Sequence, residues 1–142
     1  MKEKCKVTIG IALYNCQEYI ERCLNSALEQ TYSNIEIIVV NDGSTDNSLN
    51  IVNKIKKNSI AKDKIRIYTQ ENGGPSSARN HIIEKATGEF ILLIDSDDWL
   101  EKDAIEKMMK IQSKHNCDIV KINYCVNSSK DKIINKSGYQ KY

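Results

Sequence analysis

Phe90-Ile91-Leu92-Leu93-Ile94-Asp95-Ser96-Asp97-Asp98-Trp99 opens with five consecutive apolar residues and closes in acid. The apolar run is β-branched or bulky and too short to cross a membrane, so it reads as a strand buried on both faces. Three carboxylates within four residues, Asp95, Asp97 and Asp98, then crowd its carboxyl end. They repel one another unless a cation lies among them. That end of a strand is where open α/β sheets bind ligands. Hard oxygen donors suit Mn²⁺ or Mg²⁺, which complete their shells with water and phosphate oxygens, so a metal-bridged phosphate ligand is expected. Asp95 or Asp98 could instead cap a following helix, but capping needs one carboxylate rather than three.

Working outward, the same alternation recurs along the chain. Val7–Leu13 reads as a central strand that stops at Tyr14-Asn15. Asn15 with Glu18 matches a capping box, predicting a helix through Ile20, Cys23, Leu24, Ala27 and Leu28. Ile35–Val40 is a second buried strand. Asn41–Ser48 is a turn segment, and a helix with Leu49, Ile51, Val52 and Ile55 on its apolar side follows, capped by Thr45 or Asp46. Beyond a charged connection, Ile65–Thr69 is a shorter strand. The loop Glu71–Asn80 holds the chain's single proline and the pair Gly73-Gly74; Ser76 or Ser77 is expected to cap a helix carrying Ala78, Ile82, Ile83 and Ala86, which Gly88 closes. A helix from about Lys102 to Ile111 and a last strand over Asp118–Tyr124 follow the acidic run. The domain is expected to span 1–126, with a weakly ordered, lysine-bearing tail over 127–142.

Strands alternating with helices imply an α/β fold: a Rossmann-like, mainly parallel sheet with helices on both faces, a three-layer α/β/α arrangement. Three strands end in polar residues on one edge, at Tyr14-Asn15, Asn41-Asp42-Gly43 and Asp95-Ser96-Asp97, so carboxylates from separate strands converge on one crevice. Neither G-x-G-x-x-G after the first strand nor a P-loop is present, which leaves phosphate to be handled by metal.

Composition narrows the class. At 142 residues, 40% hydrophobic and 28% charged, this is one globular domain. Only Arg22, Arg66 and Arg79 are arginines, which disfavours a nucleic-acid groove and makes Arg79, in the glycine-rich loop segment, conspicuous. The five cysteines show no metal or C-x-x-C spacing and read as reduced thiols. Without a signal-peptide pattern or a run of about 20 apolar residues, a cytoplasmic protein is expected, with peripheral association at the inner face of the membrane left open. His81 and His115 are isolated and read as surface or boundary residues.

Taken together, Ile11-Ala12-Leu13-Tyr14-Asn15, Val39-Val40-Asn41-Asp42-Gly43-Ser44-Thr45-Asp46, Glu71–Asn80 and Asp95-Ser96-Asp97-Asp98 resemble the family 2 glycosyltransferases, inverting enzymes of GT-A fold that use nucleotide-diphosphate sugars. The resemblance implies a hexosyltransferase-type enzyme that binds a donor, typically a UDP-sugar, with Mn²⁺ or Mg²⁺. It would transfer the sugar to a saccharide or lipid-linked acceptor hydroxyl, in cell-surface polysaccharide synthesis. It places Leu13, Tyr14 and Asn15 beside the nucleobase and ribose, and Asp42 on the base, where an acceptor-only carboxylate suits uracil N3–H. Arg79 would lie near base or diphosphate, Asp95 near the ribose, and Ser96 between the two acids of a DXD motif whose Asp97 holds the metal. Two departures stand out: Ala12 occupies a position usually held by proline, and the family's acceptor half, with its catalytic carboxylate, is expected beyond Tyr142. The rival readings are a non-catalytic nucleotide-sugar-binding module and a different metal-dependent phosphate enzyme such as a nucleotidyltransferase. The nucleotidyltransferase reading lacks its glycine-rich basic loop after the first strand.

Overall fold

In a computed structural model of the chain, residues 5–122 are described. Their element order is β1 (Val7–Leu13), α1 (Ile20–Leu28), β2 (Ile35–Asp42), α2 (Ser48–Asn58), a short 3₁₀ turn (Lys62–Lys64), β3 (Ile65–Gln70), α3 (Pro75–Lys85), β4 (Phe90–Asp95) and α4 (Ala104–His115). The four strands form one parallel sheet in the order β3-β2-β1-β4. This is the expected parallel α/β architecture.

Side-chain alternation sorts the two faces. Ile38 and Val40 of β2 pack with Ala78 and Ile82 of α3, joined by Ala12, Tyr68 and Ala86. Gly10 belongs to this face because it must: a Cβ there would lie 2.4 Å from Ile82 Cγ2 and 2.8 Å from Leu93 Cδ2. Ile9, Ile11, Leu13, Ile37 and Val39 point the other way by the two-residue period and are fully buried. The apolar stripes Ile20, Cys23, Leu24 and Ala27 of α1 and Val52 of α2 are buried too, and these two helices pack together. Among the described residues no helix is long and apolar enough to cross a membrane.

Several local expectations are corrected. No capping box forms at Asn15; that residue adopts φ 44°, and α1 begins at Ile20 with no side-chain cap. Neither Ser76 nor Ser77 caps α3, which starts on Gly74 (φ 85°) and Pro75, a residue whose ring presets the first helical turn. Gly88 does not close α3, which ends at Lys85. Its amide donates instead to Thr8 Oγ1 at 3.0 Å, and a Cβ would meet Thr8 N at 2.6 Å. The Phe90 strand is not buried on both faces: among the described residues β4 is the outermost strand on its side of the sheet, and Ile91 and Leu93 are exposed. Residues 118–122 carry no strand, and the remainder of the predicted last strand, with the tail, lies outside the described residues.

At the amino end of the sheet, buried Glu36 gathers the fold. Its carboxylate accepts from Thr8 Oγ1 (2.6 Å), Thr87 N (2.6 Å), Thr87 Oγ1 (2.8 Å) and Arg66 Nη2 (2.8 Å), and Lys6 Nζ lies 3.0 Å away. It thereby joins β1, β2, β3 and the turn before β4. Burial alone would raise its pKa; donors from Thr8, Thr87 and Lys6 outweigh burial and bring it to about 2, from an ordinary 4.5. A depressed carboxylate stabilises the fold above its unfolded pKa, and that stabilisation is lost as pH falls from about 4.5 toward 2. Replacing Glu36 with Gln should lower unfolding free energy by about 1–3 kcal/mol at pH 7, since it removes the charged acceptor on which the buried Thr8 and Thr87 donors converge. In urea titrations, the gap between variant and wild type should shrink as pH drops through this window; a gap that widens there would refute the assignment.

Candidate functional site

The carboxyl ends of the strands meet at one edge because the registers align them. Leu13 pairs with Asn41, Asp42 with Gln70, and Ala12 with both Val40 and Asp95. Ala12 keeps β1 in register with both neighbours despite standing where the resembling family has proline. Over this edge opens a cleft of about 450 Å³, lined by Ala12, Leu13, Tyr14, Asp42, Asn72, Gly74, Pro75, Ala78, Arg79, Asp95, Ser96 and Asp97. Seven of the eight residues singled out as binding or metal-holding line this cleft; Asn15 does not.

Asn15 has a different position and task. Its side-chain oxygen accepts from Thr45 N at 2.8 Å and Asp46 N at 3.3 Å. Asn15 N donates to Ser44 Oγ, Cys16 N to Ser48 Oγ, and Gln17 N to Asp46 Oδ2. The loops after β1 and β2 thus satisfy each other's backbone groups, which explains why Asn15 tolerates a left-handed conformation that Asn adopts more readily than most residues.

Asp42 is the most constrained member of the cleft, only 2% exposed. Oδ1 accepts from Gln70 Nε2 (2.7 Å) and Gly73 N (2.8 Å), and Oδ2 accepts from Gly74 N (2.8 Å). Burial pushes its pKa up, but the Gly73 amide, Gln70 and the Gly74 amide more than offset that, so it is held below the ordinary carboxylate value and stays ionised. A carboxylate offers about four acceptor positions. Three are filled here, and the open one is on Oδ2. The glycines are required by this geometry: a Cβ on Gly73 would approach Ser77 Oγ to 2.7 Å, and Gly43, at φ 72°, would bring one within 2.9 Å of Asn72 N.

The acidic run folds as a turn, with Asp98 N donating to Asp95 O at 3.0 Å. It does not bring three carboxylates around one point, and among the described residues no group of three potential ligands gathers to hold a metal. Asp95 is turned to Arg79, whose Nη2 lies 2.6 Å from Oδ1. Asp97 lines the cleft; Asp98 does not, and caps no helix, since α4 begins only at Ala104. Asp98's pKa is raised, first by burial and then by Asp97 and Asp95, so this turn carries a negative field that Arg79 offsets only at Asp95. Trp99 takes no part in lining the cleft; the Arg22 guanidinium sits 3.3 Å from its ring centre.

Residues 8–139 match the glycosyl transferase family 2 profile. The chain belongs to that family. It is 46% identical over 104 residues to chondroitin synthase of Pasteurella multocida, covering 73% of this chain and 10% of the synthase. Among solved structures, Staphylococcus aureus TarS 1–349 in complex with UDP-GlcNAc superposes with a TM-score of 0.71 at 33% identity, covering 78% of this chain and 32% of that one. A mannosyltransferase from Pyrobaculum calidifontis, in complex with GDP-Man and Mn²⁺, gives 0.70 at 25% identity, covering 79% and 33%. The chain thus spans a third or less of each of these three relatives.

Three polar participants were missed by sequence reasoning: Gln70, Asn72 and Ser77. Gln70 had a usable signal, because a polar residue ends β3 on the edge where β1, β2 and β4 also turn polar. The loop interlock predicts a measurable role for Asn15. Replacing it with Ala removes an acceptor shared by two amides and should lower stability by about 1–3 kcal/mol. Thermal and urea unfolding measure this directly; an unchanged midpoint would show that the interlock contributes nothing.

Proposed function

We propose that this chain forms the donor-binding part of an inverting glycosyltransferase that takes a UDP-sugar and a divalent cation and delivers the sugar to an acceptor hydroxyl during polysaccharide synthesis. The observation that carries the reading is the single open acceptor position on ionised Asp42, set in the same cleft as Arg79, Asp95 and Asp97. An acceptor-only group beside a wall of Leu13 and Tyr14 suits a base that presents an N–H, as uracil does at N3. The UDP-GlcNAc bound by TarS supports the same nucleotide class.

In this reading Tyr14, which is half exposed, and Leu13 flank the base and ribose. Asp95 accepts from ribose hydroxyls, Ser96 adds a polar wall, and Arg79 supplies a planar donor fork for the diphosphate. Asp97 and the uncompensated field of the turn fit Mn²⁺ or Mg²⁺, which need only one or two carboxylates when phosphate oxygens and water complete the shell. When bound, the ion would offset the charge of the leaving nucleoside diphosphate. The acceptor oxygen bonds to the anomeric carbon as the bond to the diphosphate oxygen breaks, with inversion. The leaving electron pair goes to the diphosphate, and the hydroxyl proton goes to a carboxylate that none of the residues assigned here supplies. What this chain does for the reaction is hold and orient the donor.

A thermal-shift panel of UDP, CDP, GDP and ADP, each with and without Mn²⁺, tests the reading. UDP with Mn²⁺ should raise the midpoint most, because a ligand that binds only the folded state stabilises it by mass action. Replacing Asp97 with Ala should abolish the Mn²⁺-dependent part of UDP binding in calorimetry. Equal affinity with and without that carboxylate would rule out its role with the metal.

A further inference from the structure

Asp42's grip on the loop is itself held by a chain of side chains running back into α3. Gln70 Nε2 donates to Asp42 Oδ1 at 2.7 Å and to Ser77 Oγ at 2.9 Å, so both of its N–H groups are committed. Gln70 Oε1 lies 2.9 Å from His81 Nδ1. An ionised carboxylate cannot donate, so the amide must face Asp42 with its nitrogen; its oxygen then faces His81, whose Nδ1 must carry a proton. The His81 ring is further fixed by Tyr68, centre to centre 5.4 Å. The Ser77 hydroxyl can either donate or accept, so it does not decide which way the Gln70 amide points. An amide turned end for end would set oxygen against the Asp42 carboxylate and withdraw one of three donors from it.

We propose that His81 and Gln70 are positioning residues for nucleotide selectivity: His81, through the Gln70 amide, fixes Asp42 so that its open oxygen reads an N–H on the base. The proposal rests on Asp42 reading the base, and it adds two residues that lie outside the lining of the cleft. Uracil offers N–H at position 3, where cytosine offers a bare acceptor. Loosening the carboxylate should therefore weaken UDP and leave the already poor CDP almost untouched, whereas general damage to the cleft would weaken both.

Calorimetric titration of UDP and CDP, each with Mn²⁺, into the full-length protein tests this. His81→Leu keeps bulk without a donor and should lower UDP affinity about three- to tenfold, as for one lost hydrogen bond, while CDP changes less than twofold. Gln70→Leu removes the amide that donates to Asp42 and should behave alike, and the double variant should be no worse than Gln70→Leu alone. His81→Asn, which can present an N–H near the place of Nδ1, should restore the UDP-to-CDP ratio. Equal losses for both nucleotides in His81→Leu and Gln70→Leu, or additive losses in the double variant, would overturn the proposal. If Asp42→Ala leaves the ratio unchanged, base reading by Asp42 is what fails, a result distinct from failure of the relay alone.

Discussion

The carboxylate of Asp42 holding the amides of Gly73 and Gly74 is the contact on which the cleft depends. A buried charge is tolerated only where donors surround it, and here the donors come from a loop that has no regular structure of its own. The bond works in both directions. It keeps Asp42 ionised at the end of β2, and it sets the start of α3, because Gly74 at φ 85° leads directly into Pro75 and the first helical turn. The placement of Ala78 and Arg79 at the cleft wall follows from where that helix begins. Any side chain on Gly73 or Gly43 intrudes on this knot, so the two glycines and the acid form one unit.

The two ends of the sheet spend carboxylates differently, and the difference separates architecture from site. Glu36, at the amino end, has donors from four positions in the chain and is saturated. Such a group welds strands together and has nothing left to offer a ligand. Asp42 is one donor short of saturation. Among the described residues Asp97 has no comparable set of donors, and its negative field reaches Asp98 and Cys23, whose thiol is pushed up to about 12 by burial first and then by Cys16 and the acids of the turn. Along one parallel sheet the acids thus grade from fully satisfied to openly available, and the available ones gather at the carboxyl end.

Periodicity made the parallel sheet and its helices legible, because alternating apolar runs and turn residues each have one economical arrangement. The meeting of Asp42, Arg79, Asp95 and Asp97 at one cleft was legible for the same reason: they end or follow strands, or sit in the loop segment of a glycine pair. Reading Asn15 as a helix cap failed because capping is a local pattern, whereas Asn15's partners are Thr45 and Asp46, thirty residues away. The run Phe90–Ile94 looked doubly buried because composition reports hydrophobicity and not position in the sheet; among the described residues β4 has a neighbour on one side only, and Ile91 and Leu93 are exposed. Gln70 was hidden because the importance of an amide lies in which way it points, and that is decided by Asp42 on one side and His81 on the other.

The arginines complete the contrast. Arg66 is tied to Glu36 at 2.8 Å and also donates to Lys85 O at 2.8 Å; separating it would take a charged donor from the buried Glu36 carboxylate. Arg79 pairs with Asp95 at 2.6 Å, but both side chains are substantially exposed, 39% and 55%. Exposed pairs of this kind contribute roughly 0–1 kcal/mol, because water competes with each partner. An anionic ligand entering the cleft can therefore take Arg79 from Asp95 at little cost, and the released Asp95 is left with free acceptor capacity beside it. A pair that is short yet weakly held keeps a cationic fork at the cleft wall without sealing the site. Burying the same pair would have added a desolvation cost and made its separation expensive, because removing either partner would then leave an unpaired buried charge.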